Sequence, residues 1–206
     1  MNGRRVVVTG LGALTPIGNN LEEYWKGLSN GVSGAAPITR FDAEKFRTKF
    51  ACEVKNYDPL NHFDRKDARK MDPFTQYALI VSEEAIKHSG LDLEKVDKDR
   101  VGVIWGAGIG GLKTFQDEVT DFSRGDGTPK MIADIAAGYI SITYGFRGPN
   151  FVTVSACASA TNALIDSLNY IKLGHADVIV SGGSEATVCE AGVGGFNALK
   201  ALSERN

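Results

Sequence analysis

Short apolar runs rich in β-branched residues alternate along this chain with longer segments of helical periodicity. Residues 101–105, 151–154 and 177–181 have the length and composition of buried strands, and residues 5–9 predict one more. Residues 130–144 predict a helix between two of these strands. Because buried parallel strands are apolar throughout and are joined by helices, this order predicts an α/β fold with a largely parallel sheet covered on both faces.

Residue types that are common at helix ends predict where two further helices begin. Asn20, followed by Glu23 three positions later, forms a capping-box pattern ahead of an apolar-periodic stretch. Asp72 and Pro73 predict the start of a long helix that ends at Gly90, because proline is tolerated in the first turn of a helix and glycine is favoured after the last.

The strand at residues 151–154 leads into a junction of small residues with a cysteine at its centre. A helical pattern follows Cys157 and ends at Gly174. A thiol at the start of a helix lies near the positive end of the helix dipole, which favours the thiolate, and the backbone N–H groups there can hold an oxyanion. The pattern therefore suggests an acyl-transferring nucleophile at Cys157. A cysteine buried as a small apolar residue fits the same pattern and is the commoner case.

Two glycine-rich turns follow predicted strands, at residues 106–111 and 182–186. A lone glycine-rich turn is a weak signal for a nucleotide site, and no Walker lysine accompanies the first turn. We therefore expect no nucleotide there. We expect the glycines to let neighbouring backbone segments approach the strand that carries the cysteine.

Charge and cysteine usage exclude several classes of protein. The net charge of −2 does not suggest nucleic acid as a partner, and no apolar run approaches the length of a membrane span. The apolar run near the N-terminus is too short for a signal peptide, so a soluble cytoplasmic protein is expected. Widely spaced Cys52, Cys157 and Cys189 indicate neither a disulfide framework nor a metal site, and no cofactor is expected.

Other titratable side chains compete weakly with Cys157 for a catalytic role. Cys52 lies in a polar loop, and Glu190 is expected to raise the pKa of the Cys189 thiol beside it. A catalytic base must reach the nucleophile, and the histidines occupy predicted surface or capping positions. These histidines are His62, His88 and His175.

Several separated motifs resemble the β-ketoacyl-[acyl carrier protein] synthases, the condensing enzymes of fatty acid synthesis, and most closely their type II members. The motifs follow the family's order at residues 6–12, 15–18, 69–72, 76–78, 108–111, 148–160, 194–196 and 201–203. The resemblance covers essentially the whole chain. Because residues 148–160 match the family's nucleophile motif, the resemblance implies that Cys157 is the nucleophile. It also excludes the chain-length-factor relatives that lack this cysteine.

The resemblance implies a thiolase-like fold of five αβαβα layers, made of two similar halves that dimerise. Residues 1–206 would form the N-terminal half, and the protein is expected to continue past Asn206. Ile109 and Phe196 match positions that line the family's acyl pocket.

The resemblance also implies a docking site for acyl carrier protein. Lys66, Arg69 and Lys70 match a basic patch that binds the acidic carrier protein in the family, and charge complementarity of this kind steers association. Without the resemblance, the same charges are typical of an ordinary solvated helix edge.

The implied reaction is chain elongation in two steps. Cys157 would accept an acyl chain from acyl carrier protein, and the carbanion from decarboxylated malonyl carrier protein would then attack that thioester. The family's two catalytic histidines, its lysine and its second oxyanion-hole N–H belong to the C-terminal half, so residues 1–206 alone are expected to be inactive. The family's loop between the positions of Pro129 and Lys130 is missing from this sequence.

Two alternatives remain at the level of the sequence. One is a catalytically incompetent module that only dimerises or binds carrier protein. The other is a polyketide-type ketosynthase or a coenzyme-A-dependent relative with the same fold. The basic patch at residues 66–70 favours a carrier protein over coenzyme A as the acyl donor.

Overall fold

The computed structural model describes residues 4–125 and 135–206. Within them the chain forms two compact units. The first comprises residues 4–12, 73–110 and 135–185, and the second comprises residues 13–72, 111–125 and 186–206. Among the helices of these described ranges, none combines the length and the apolar character that crossing a membrane requires.

The helices and strands follow one another in a mixed order. The helices are α1 (Leu21–Ser29), α2 (Arg65–Lys70), α3 (Pro73–Ser89), α4 (Leu112–Ser123), α5 (Ile135–Tyr144), α6 (Ser159–Lys172) and α7 (Glu190–Ala198). The strands are β1 (Ala36–Pro37), β2 (Phe50–Ala51), β3 (Val101–Gly106), β4 (Asn150–Thr153) and β5 (Val178–Gly183). Single 3-10 turns lie at Pro59–Asn61, Lys98–Arg100 and Ala156–Ala158.

The first unit is built on a parallel sheet with the strand order β4-β3-β5. In its register Val103 of β3 pairs with Asn150 on one side and with Val180 on the other. Every residue of the central strand β3 is buried. The predicted parallel α/β arrangement is confirmed, and the strands predicted at 151–154 and 177–181 are each displaced by one or two residues.

Helices cover both faces of this sheet. The connection from β3 to β4 contains α5, and the connection from β4 to β5 contains α6. Since β4 and β5 lie on opposite sides of β3, right-handed crossovers place α5 and α6 on opposite faces. α6 packs against all three strands, while α5 packs against β3, β4 and α3. The helix predicted at residues 130–144 is confirmed from Ile135 onward; residues 130–134, like the Pro129–Lys130 junction, lie outside the described residues.

Both helix starts predicted from capping residues are confirmed. The Asn20 Oδ1 accepts a hydrogen bond from the Glu23 N–H at 2.9 Å, at the start of α1. The Glu23 carboxylate accepts the N–H of Asn19, at 2.9 Å, so the reciprocal bond of the capping box is shifted by one residue. α3 begins at Pro73 and ends just before Gly90, as predicted.

The strand predicted at residues 5–9 is wrong, because these residues form no strand. Val8 is 78 % exposed and Val7 is 58 % exposed. Residues 6–12 instead line one side of a groove of about 470 Å³, which is also lined by β5, α3 and α6. A β-strand requires a neighbour at hydrogen-bonding distance, and the groove separates these residues from the outer edge of β5.

The second unit joins segments that are far apart in sequence. β1 and β2 form a short antiparallel pair. Gln116 of α4 donates to the Glu190 carboxylate at 2.6 Å and accepts the Ala191 N–H at 2.8 Å, which ties α4 to the start of α7. The buried Asn197 amide donates to the Thr48 hydroxyl at 2.8 Å. Side-chain hydrogen bonds of this kind anchor α7 within the second unit.

Two glycines allow α6 to lie close against the ends of two strands in the first unit. A Cβ on Gly106 would lie 2.4 Å from the backbone nitrogen of Ala160, and a Cβ on Gly183 would lie 2.6 Å from the Ala160 Cβ. Side chains at these positions would displace the first turn of α6. The glycines of these turns therefore permit a close backbone approach, as expected, although the segment that approaches is the first turn of α6 and not the strand that carries Cys157.

An ion-pair cluster joins the entrances of β3 and β5. The Asp177 carboxylate accepts two hydrogen bonds from Arg100, both at 2.9 Å, and one from Arg4 at 2.7 Å. These arginines, Arg100 above all, lower the pKa of Asp177 from 3.8 to about 2. The Asp177 N–H also donates to the Arg100 carbonyl at 2.9 Å, so the cluster fixes the start of β5 beside that of β3.

We expect Gly106→Ala to lower the free energy of unfolding by about 2–3 kcal/mol, because a new methyl group would overlap the backbone of α6. Gly138→Ala is the matched control, since a Cβ on Gly138 of α5 meets no atom within 4 Å. That control should be neutral or stabilising by up to about 1 kcal/mol, because alanine is the better helix former. Urea denaturation measures both, and equal effects would contradict the packing argument.

Asp177→Asn should change how stability depends on pH. The folded-state pKa of Asp177 is depressed, so its contribution is complete above the ordinary pKa of 3.8 and is lost as the pH falls toward about 2. The difference in urea midpoint between wild type and Asp177→Asn should therefore be constant above about pH 5 and shrink below about pH 4. Asp121→Asn, on exposed α4, controls for loss of a surface carboxylate. A difference that stays constant down to pH 3 would contradict the expected linkage.

Candidate active site

Cys157 lies in the single 3-10 turn Ala156–Ala158, between the end of β4 and the start of α6. Its side chain is exposed. α6 begins two residues later at Ser159, and no side chain caps its first turn. The alternative of a thiol buried in the core does not describe this cysteine, since the structure presents it to solvent next to a helix N-terminus.

The turn around Cys157 is closed by Ser159, whose hydroxyl is buried. This hydroxyl accepts the Ser155 N–H at 2.9 Å and donates to the Ala156 carbonyl at 2.8 Å. The Thr153 hydroxyl donates to the Ser159 carbonyl at 2.8 Å, which ties the end of β4 to the same point. Sequence reasoning assigned no role to Ser159. Its position at a strand-to-helix junction could have indicated one, because serine hydroxyls at such junctions bond to nearby backbone groups.

Ala156 adopts a left-handed backbone conformation, with φ at +50°. This region is unfavourable for residues with a Cβ, and it costs on the order of 1 kcal/mol or more. The Ser159 hydrogen bond to the Ala156 carbonyl offsets part of that cost. Cys157 therefore lies directly after a strained residue on a sharp bend, which exposes the thiol.

Ile109 belongs to the same unit as Cys157, in the loop that follows β3. A Cβ on Gly108 would lie 3.2 Å from the Ala156 carbonyl oxygen, so this loop packs against the turn that carries Cys157. Ile109 itself is half-buried. The Glu185 carboxylate accepts the backbone N–H groups of Ile109 and Gly110, at 2.8 and 3.2 Å. Sequence reasoning missed Glu185, because its two bonds join residues that are 76 and 75 positions apart.

The other predicted pocket residue and the basic patch belong to the second unit. Phe196 lies in α7 and is half-buried. Lys66, Arg69 and Lys70 all lie on α2 and are exposed. Lys70 donates to Asp67 at 3.1 Å, one turn earlier on the same helix. Their exposure on one short helix agrees with both a docking patch and a solvated helix edge.

The remaining cysteines occupy environments unlike that of Cys157. Cys52 is exposed and directly follows β2. Cys189 is buried, and burial raises the pKa of its thiol, with a smaller contribution in the same direction from Glu190. The predicted direction for Cys189 is confirmed, although burial rather than Glu190 is its main cause.

The histidines lie on the surface, as predicted. The His88 Nδ1 accepts the Leu11 N–H at 3.1 Å near the end of α3, and the other two contact neighbouring aromatic rings. The exposed histidines are His62, His88 and His175. Within residues 4–125 and 135–206, His, Cys, Asp and Glu side chains form no cluster of three or more that could hold a metal ion.

Comparisons with known proteins identify relatives of this chain. The sequence profile of the β-ketoacyl synthase N-terminal domain matches residues 3–206. A 3-oxoacyl-[acyl-carrier-protein] synthase 2 from Synechocystis sp. is 43 % identical over 210 residues, which cover 98 % of this chain and 50 % of the relative. The chain spans about half the length of the curated relatives it matches.

Solved structures share the fold. The ishigamide ketosynthase/chain length factor aligns with a TM-score of 0.86 at 30 % identity, over 98 % of this chain and 52 % of that one. A type II polyketide ketosynthase, bound to a hexaketide and in complex with its acyl carrier protein, aligns with a TM-score of 0.81 at 24 % identity, over 97 % and 56 %. The predicted thiolase-like α/β layered fold is thus confirmed, and this chain belongs to the β-ketoacyl synthase family.

Proposed function

We propose that the protein containing this chain elongates fatty acyl chains and that Cys157 is its nucleophile. The observation that carries the proposal is an exposed thiol at the N-terminus of α6 in a member of a condensing-enzyme family. The Cys157 thiolate attacks the carbonyl of an acyl thioester, the bond from that carbonyl to the carrier protein's sulfur breaks, and the carrier-protein sulfur leaves as a thiolate. Negative charge on the resulting oxyanion is stabilised near the positive end of α6.

In the second step, malonyl carrier protein loses carbon dioxide and its carbanion attacks the acyl-Cys157 carbonyl. The Cys157 thiolate leaves, and the product is a β-ketoacyl chain two carbons longer. In the family, the histidines and lysine that assist this step belong to the C-terminal half. We therefore propose that residues 1–206 supply the nucleophile but do not complete the cycle alone.

The exposed apolar face of α6 supports the assignment of residues 1–206 as one half of a larger domain. Leu164, which lines the groove described above, is 54 % exposed and Ile165 is 50 % exposed, although α6 packs on the sheet along its other side. Large apolar side chains that lie next to each other seldom remain exposed in a complete domain. We propose that the second half covers this face in the working enzyme, which the family resemblance suggests is a cytoplasmic homodimer.

Fatty acid elongation is favoured over polyketide synthesis by sequence identity. The curated relatives that are 41–43 % identical are named 3-oxoacyl-[acyl-carrier-protein] synthase 2, whereas the aligned ishigamide ketosynthase/chain length factor and type II polyketide ketosynthase are 30 % and 24 % identical. The alternative of a non-catalytic module is disfavoured because Cys157 is retained and exposed.

Acyl carrier protein is the proposed donor, and the α2 patch of Lys66, Arg69 and Lys70 is its proposed docking site. The exposure of all three cations on one helix supports this assignment, because an acidic partner would be attracted there over several ångströms. A structural relative in complex with its own carrier protein makes such a partner reasonable for this family.

We expect incubation of the purified protein with a long-chain acyl carrier protein to add one acyl group that maps to Cys157. Intact-protein and peptide mass spectrometry measure this. Cys157→Ala should abolish the adduct, whereas Cys52→Ala should retain it, because Cys52 is equally exposed but follows β2 rather than preceding a long helix. No adduct, or an adduct on Cys52, would contradict the proposed nucleophile.

Charge reversal on α2 should weaken acylation from the carrier protein. With Lys66→Glu, Arg69→Glu and Lys70→Glu combined, kcat/KM should fall by about tenfold or more at low salt, because electrostatic steering is lost. Acylation by a small acyl thioester without a carrier protein should not change. Lys26→Glu on α1 is the control for reversing a surface charge elsewhere. An equal loss with both donors would refute docking at α2.

A further inference from the structure

The loop after β3 is held from two sides beside the Cys157 turn. On one side, Gly108 packs against the Ala156 carbonyl, where a Cβ would lie 3.2 Å from the oxygen. On the other side, the same Cβ would lie 3.1 Å from the Glu185 Oε2. The loop therefore occupies a narrow space between the backbone before Cys157 and the Glu185 carboxylate.

Glu185 binds this loop through both of its carboxylate oxygens. Oε2 accepts the Ile109 N–H at 2.8 Å, and Oε1 accepts the Gly110 N–H at 3.2 Å. Two successive backbone N–H groups thus converge on one carboxylate, an arrangement typical of a backbone anion site. Hydrogen bonds to an ionised acceptor are roughly twice as strong as neutral ones. A glutamine would keep only one accepting oxygen at this position.

The backbone that carries Glu185 is itself anchored to β3. The Ser184 N–H donates to the Gly106 carbonyl at 3.1 Å, and the Trp105 indole Nε1–H donates to the Ser184 hydroxyl at 2.9 Å. Glu185 therefore projects from a segment fixed to the sheet. The backbone of Ile109 lies beyond the end of β3, and its N–H is held by the hydrogen bond to the Glu185 carboxylate.

We propose that Glu185 is a positioning residue that holds Ile109 beside Cys157 and so limits the size of the group that Cys157 accepts. Its functional meaning rests on the proposed role of Cys157 as acyl acceptor. The position of Ile109 depends on contacts within the first unit. Release of the Glu185 carboxylate lets Ile109 move away from the thiol, which admits longer chains relative to short ones.

Hydrogen exchange tests the positional claim without any enzymatic activity. In Glu185→Gln and Glu185→Ala, exchange at the Ile109 and Gly110 amides should become about tenfold faster or more, because a charge-assisted bond is lost. Glu22→Gln, in the exposed first turn of α1, is the matched control and should leave both amides unchanged. Unchanged exchange at Ile109 and Gly110 in both Glu185 variants would overturn the proposal.

Maleimides of different length test the size limit independently of acyl transfer. The ratio of N-octylmaleimide to N-ethylmaleimide reactivity at Cys157 should rise at least about threefold in Glu185→Gln, which corresponds to loss of part of one hydrogen bond. Exposed Cys52 on the same chain provides the internal control, and its ratio should not change. A Cys157 ratio equal to or lower than that of wild type, or one that changes equally at Cys52, would overturn the proposal.

A double substitution separates positioning through Ile109 from a general loss of structure. Ile109→Ala should raise the same Cys157 ratio, and adding Glu185→Gln should then raise it no further, because both changes remove one constraint. Additive effects would overturn the claim that Glu185 acts through Ile109. If the wild-type protein reacts with maleimides as expected and yet accepts no acyl group from carrier protein, the proposed function fails. In that case the exchange and maleimide tests still decide whether Glu185 positions Ile109.

Discussion

The close approach of α6 to the ends of β3 and β5 is the constraint on which the candidate site depends. Gly106 and Gly183 end these two strands, and their missing side chains leave room for the first turn of α6. α6 can then begin directly at the carboxyl ends of these strands, and Cys157 lies between the end of β4 and the start of α6. A side chain at either glycine would overlap the first turn of α6, which begins two residues after Cys157.

Polar contacts then set the local geometry around this approach. Ser159 closes the Cys157 turn, and Glu185 holds the loop after β3 against it. Ser159 bonds to the backbone of Ser155 and Ala156, and Glu185 accepts the backbone N–H groups of Ile109 and Gly110, so both side chains help to define the path of the main chain. The ion pairs of Asp177 act at the opposite end of the same strands and keep β3 and β5 in register there. The sheet is thus tied at both ends, and the site forms at the carboxyl end of its strands.

Sequence patterns predicted the elements whose signals are local. The apolar runs of β3, β4 and β5 and the capping residues of α1 and α3 were enough to place them within a few residues. Residues 5–9 have the same apolar composition and were predicted as a strand, but they form none. These segments differ in whether a neighbouring strand is available for pairing. β3 has a strand on each side, whereas a groove lies between residues 6–12 and β5.

The sequence alone determined the α/β class, the position of Cys157 at a strand-to-helix junction and the family motifs that surround it. These depend on residue type and short spacing, which a linear pattern records. Tertiary structure decided the exposure of Cys157, the role of Ser159 as the closure of its turn, and the bond between Glu185 and the loop of Ile109. These features depend on which strand ends become neighbours, and bonds across 75 residues have no periodic signature in the chain.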